Sequence, residues 1–94
     1  MRIKWLKKAT RNLDAAASYV ARDDPEVAQK MYAHIRKSVD ALMDHPEMGR
    51  PGKIFGTREL VITGYPYIVP YRIKGKVVQV LRVFHTSQKL PDTW

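Results

Sequence analysis

The chain has 94 residues, of which 45% are hydrophobic and 28% charged, the composition of one small globular unit over residues 1–94 and not of a disordered chain. It has no cysteine, so disulfides, Cys-rich zinc sites and thiol catalysis are excluded. The net charge is +8 and sits at the two ends: Arg2, Lys4, Lys7, Lys8 and Arg11 precede the first acid, and after residue 60 Arg72, Lys74, Lys76, Arg82 and Lys89 face only Asp92. Such an imbalance points to nucleic acid or an acidic protein segment as partner, with a solvated basic surface as the plain alternative.

The first residues, Met1 to Lys8, carry charge but no apolar core of a signal sequence, and no later run reaches the ~20 apolar residues of a spanning helix. The expectation is a cytoplasmic protein with no membrane contact. Residues 2–6 read as a short strand with Ile3 and Trp5 on one face. A helix over 9–22 follows, its stripe formed by Leu6, Ala9, Leu13, Ala16, Ala17 and Val20. Asp24 caps a second helix over 25–44, with Pro25 at its first position and Glu26 at the positive end of the dipole. Val27, Met31, Ile35, Val39 and Leu42 give this helix its apolar face, with Ala28, Tyr32 and Met43 beside it. The Pro- and Gly-rich run from His45 to Gly52 ends the helical hairpin.

The remainder reads as strands at 57–63, 67–73 and 77–85. Gly64-Tyr65-Pro66 and Lys74-Gly75-Lys76 are the turns between them. Pro70 sits inside the middle strand and cannot donate to a ladder, so a bulge or an unpaired edge is expected there. The last strand is apolar on both faces, which suits a central, doubly covered position. The predicted fold is α+β in the order β-α-α-β-β-β, a helical hairpin on a mainly antiparallel four-stranded sheet.

Trp5, the Ala-rich first helix, Asp24-Pro25, and Pro46-x-x-Gly49-Arg50 come in a distinctive order. Gly56-Thr57-Arg58-Glu59-Leu60, Tyr67-x-Val69-x-Tyr71-Arg72 and Val80-Leu81-Arg82-Val83-x-His85 complete it. Together these phrases resemble the RelE/ParE superfamily across almost the whole chain. The resemblance implies the toxin of a type II toxin–antitoxin module, neutralised by a cognate antitoxin in a toxin–antitoxin hetero-oligomer. ParE-like members of that superfamily poison DNA gyrase. RelE-like members cut messenger RNA on the ribosome.

Metal-independent RNA cleavage needs a base, an acid and cations for the phosphorane charge. The candidates are Arg58, Arg82 and His85, with Tyr67, Tyr71 and Arg72 nearby. Each has a structural alternative. His85 could close its strand on a backbone carbonyl, and Arg82 could form a buried pair with Glu59. Lone His85 with no evident second acid–base group falls short of the RelE-like set, and the long helical hairpin suits the ParE-like class. The sequence therefore favours a gyrase poison, with the ribonuclease and a non-toxic antitoxin-binding relative as alternatives. Arg72, Lys74, Lys76, Lys89 and Trp94 are the candidate binding residues; Trp94 could stack a base, plug the fold or fray with the tail. His34 and His45 have no partners at metal-ligand spacing and no glycine loop opens a helix, so neither metal nor cofactor is expected.

Overall fold

The computed structural model describes residues 1–94. Strand β1 spans Arg2–Trp5 and leads straight into helix α1, Lys7–Ala21. Helix α2 spans Pro25–Asp40 and is prolonged by a 3₁₀ turn at Ala41–Met43. Strands β2 (Arg50–Pro51), β3 (Arg58–Val61), β4 (Tyr67–Lys74), β5 (Val77–Val80) and β6 (Phe84–His85) follow.

The sheet has the order β1-β5-β4-β3-β2, with β6 also paired to β4. Only the β1–β5 pairing is parallel. The expected α+β hairpin-on-sheet architecture is present, but the sheet has six strands where four were expected. One addition is β2, which the Pro- and Gly-rich run hides. The other comes from the break of the 77–85 strand into β5 and β6.

Pro70 explains that break. Tyr71 pairs with Val80 and Ile68 with Phe84, so residues 81–83 lie opposite only residues 69–70. This is a bulge. Leu81 N–H donates to Pro70 O at 2.9 Å, while Pro70 has no N–H to return. The bulge expected at Pro70 thus lies on the strand opposite it. Strand β5 is interior, between β1 and β4. Its outer face has no second layer of secondary structure, so the expected double cover is absent there.

Asp24 caps α2 as its sequence predicts: Oδ1 accepts from Glu26 N–H at 3.1 Å and Val27 N–H at 3.2 Å. The buried face of α2 is Ala28, Met31, Ile35 and Val39, continued by Leu42 of the 3₁₀ turn. Val27, predicted to open that face, is 41% exposed, and Ala28 takes its place. Met31, Ile35, Val39 and Leu42 meet Ala9 and Leu13 of α1 and Leu60, Val69, Tyr71, Val78 and Val80 of the sheet in one core. Helix α1 starts at Lys7, earlier than expected, because Leu6 N–H donates to Val80 O at 3.0 Å and turns the chain directly off β1. The β4–β5 hairpin closes through Gly75-Lys76, with Gly75 at φ +61°. No helix is long and apolar enough to cross a membrane.

Candidate functional site

The candidate residues fall into three separate places. The first is a clamp on the loop after α2. Tyr71 is fully buried on the helix-facing side of β4. Its hydroxyl donates to Pro46 O at 2.7 Å and accepts from Gly49 N–H at 2.8 Å. Burial raises the Tyr71 phenol pKa above 10.0; the Gly49 hydrogen bond and the charge of Arg58 oppose that rise and Glu47 adds to it. Arg58, opposite Tyr71 on β3, donates to Glu47 O at 3.1 Å and Gly49 O at 2.8 Å. Its guanidinium therefore holds loop carbonyls.

Glu59 completes the clamp. It is 4% exposed, and its Oε1 accepts from Arg50 Nε at 3.2 Å and Nη2 at 3.1 Å. Its Oε2 accepts from Lys53 N–H at 2.8 Å. The pairing of Glu59 with Arg82 suggested by sequence is not formed; Arg50, directly across β2–β3 from Glu59, takes that role.

The second place is a cleft of about 560 Å³ between α1 and the bulge, where Arg82 and His85 come together with Tyr19, Tyr67 and Asn12. Arg82 Nε donates to Asn12 Oδ1 at 2.8 Å, and the same oxygen accepts from Val83 N–H at 3.2 Å. Asn12 thereby ties α1 to the bulge. The Arg82 guanidinium also lies 4.6 Å over the Phe84 ring and reaches Trp94 O at 3.4 Å.

His85 does not close its strand on a carbonyl. Its Nδ1 accepts from Ser87 N–H at 3.0 Å and meets Ser87 Oγ at 2.7 Å. An amide N–H can only donate, so Nδ1 is the unprotonated nitrogen and neutral His85 carries its proton on Nε2. The ring stands edge-on to Tyr67, with centroids 5.3 Å apart. Tyr67 is buried, and burial first, then Tyr19 nearby, raises its phenol pKa. Arg58 lines no part of this cleft.

The third place is the sheet face turned away from the helices, together with the C-terminal tail. Arg72, Lys74, Lys76 and Lys89 are exposed there or at its margins, and Arg72 Nε donates to Gln79 Oε1 at 2.6 Å. Trp94 is not frayed. It packs on Phe84 with ring centroids 5.7 Å apart, and its Nε1 is buried without a partner. Lys53 anchors the tail by donating to Leu90 O at 2.8 Å and pairing with Asp92 at 3.4 Å. Phe55, at a nearby loop tip, is fully exposed.

Asn12 and Lys53 escape a sequence reading because their partners lie 70 and 37 residues away. The sequence marks Tyr67 only as a neighbour of the catalytic candidates. His34 on α2 is structural, with Nε2 donating to Thr63 O at 2.8 Å.

Residues 3–90 match the family model described as "ParE toxin of type II toxin-antitoxin system, parDE". The chain belongs to the ParE toxin family. It is 47% identical over 91 residues to "Putative toxin Y4kP" of Sinorhizobium fredii, covering 97% of this chain and 94% of that protein. It also superposes on a chain of a chromosomal ParDE toxin–antitoxin system from P. aeruginosa with a TM-score of 0.83 and 36% identity. That match covers 93% of this chain and 97% of the other. The β-α-α-β order and the sheet are thus those of a ParE-family toxin of the type II class, a family defined by pairing with an antitoxin.

Proposed function

We propose that this ParE-family toxin poisons DNA gyrase in the cytoplasm and is held inactive by a cognate antitoxin. The observation that carries this reading is the dispersal of the candidate nuclease residues. Arg58 is committed to the carbonyls of Glu47 and Gly49, away from the cleft that holds Arg82 and His85. His85 directs its lone-pair nitrogen at Ser87, so no free base faces the cleft from Nδ1. Family membership supports the same reading, since ParE-like toxins act on gyrase.

A ribosome-dependent messenger endonuclease is the second reading, favoured by one observation: Arg82, His85 and Tyr67 do share a cleft. A non-toxic relative that only titrates an antitoxin is the third. Expression of the chain without its antitoxin, beside a His85→Ala variant, tests all three. Growth arrest that survives His85→Ala within about tenfold is expected, because losing a true general base costs about 10²–10⁴-fold. Toxicity abolished by His85→Ala in a folded protein favours the nuclease, and no growth arrest from the wild type favours the titrating relative.

A further inference from the structure

The two faces of the sheet differ in chemistry. Ile3, Trp5, Tyr71, Ile73, Val78 and Val80 point to the helices and join or pack on the core. Alternation along the strands then places Arg2, Lys4, Arg72, Lys74, Val77 and Gln79 on the opposite face. The pairing aligns them in two rows. Arg2, Val77 and Lys74 stand side by side, as do Lys4, Gln79 and Arg72.

Neighbouring strands are about 4.8 Å apart, and same-face residues repeat about every 6.7 Å along a strand. Four cations therefore mark the corners of a patch about 10 by 7 Å at the backbone. All four are exposed, and the three strands contain no Asp or Glu. Glu59 and Asp92 are already paired, with Arg50 and Lys53. Lys76 in the hairpin turn extends the cationic field. Like charges this close repel one another, which a bound polyanion reverses.

We propose that this face binds the phosphate backbone of double-stranded DNA. An acidic peptide that folds on its partner needs apolar surface to bury as well as charge to neutralise. Here the positions between the cations are only Val77 and Gln79, and the apolar cleft of Phe55, Leu81 and Trp94 touches the array only at Arg72. Duplex DNA needs only an array of cations, because it presents one negative charge per about 1.7 Å of axis. The proposal extends the gyrase reading, since a toxin on gyrase would meet enzyme-held DNA, but its test uses no gyrase and the two can fail separately.

The test measures binding of the full chain to a fluorescent 20-base-pair duplex of mixed sequence across a salt series. Tight binding at about 50 mM salt is expected, with log affinity falling by about 0.9 per phosphate contact against log salt. The variant Arg2→Ala/Lys4→Ala/Arg72→Ala/Lys74→Ala should bind at least tenfold more weakly and flatten the slope by up to about 3.6. A charge-matched variant, Arg11→Ala/Arg22→Ala/Lys30→Ala/Lys37→Ala, removes helix cations and should keep most of the slope. Single Lys4→Glu and Lys74→Glu variants give the same readout if the fourfold variant does not fold. Absence of DNA binding at low salt overturns the proposal. So does an equal loss from the helix variant, which would make the effect one of net charge. Unchanged DNA binding with weakened antitoxin binding overturns it too, and assigns the face to an acidic protein segment.

Discussion

Replacing Tyr71 by Phe keeps the ring in the core and removes only the hydroxyl. The loop after α2 then loses two hydrogen bonds, to Pro46 O and from Gly49 N–H. The bond to Pro46 O is worth about 0.5–1.5 kcal/mol. Gly49 is buried, so its N–H is left without a partner at a cost of about 1–3 kcal/mol. The sum is a destabilisation of about 2–4 kcal/mol, a large share of the stability of so small a domain. Urea unfolding of the two proteins measures it: the midpoint should drop by about 1–2 M with the slope unchanged.

The same variant predicts a pH dependence. Burial holds the Tyr71 phenol pKa above 10.0 in the folded chain, so the native state keeps this proton longer than the unfolded state. The associated stability is intact below pH 10 and is lost as pH rises through the folded pKa. The gap between wild type and Tyr71→Phe should therefore narrow above pH 10. A loss under about 0.5 kcal/mol at neutral pH, or a gap that widens in alkali, refutes the clamp.

Gly49→Ala should destabilise by a similar amount, because a Cβ there would lie 2.6 Å from Tyr71 Cε1 and 3.0 Å from Glu59 O; thermal unfolding checks this. Asp24→Ala removes the cap of α2 and should cost about 1 kcal/mol, read by urea unfolding. With its antitoxin, the toxin should associate more slowly as salt rises while dissociation barely changes, since a net charge of +8 steers encounter more than it holds the complex. A stopped-flow salt series reads both rates.

The helical hairpin was legible because its signals are local. Asp24 and Pro25 open α2, and Met31, Ile35 and Val39 within it, then Leu42 in the 3₁₀ turn, repeat at helical spacing. The break between β5 and β6 was not legible in its own residues, because Leu81 and Val83 continue the apolar pattern through it. Its cause, Pro70, lies on another strand and pointed only to a bulge somewhere beside it. The candidate site was less legible still. Arg58 and Arg82 were marked by charge, which cannot reveal that one guanidinium is spent on loop carbonyls and the other on Asn12. His85 was marked by its pKa near neutrality, but the orientation of its ring is set by Ser87, two residues further on.

The proposed action of this ParE-family chain on gyrase, and not on messenger RNA, can be tested directly. Purified protein can be assayed in two parallel reactions, one with gyrase, ATP and supercoiled plasmid, the other with ribosomes and a translated messenger. Enzyme-trapped double-strand breaks that require gyrase and vanish on adding antitoxin, with the messenger intact, are expected. Codon-positioned messenger cleavage with unbroken plasmid would contradict it.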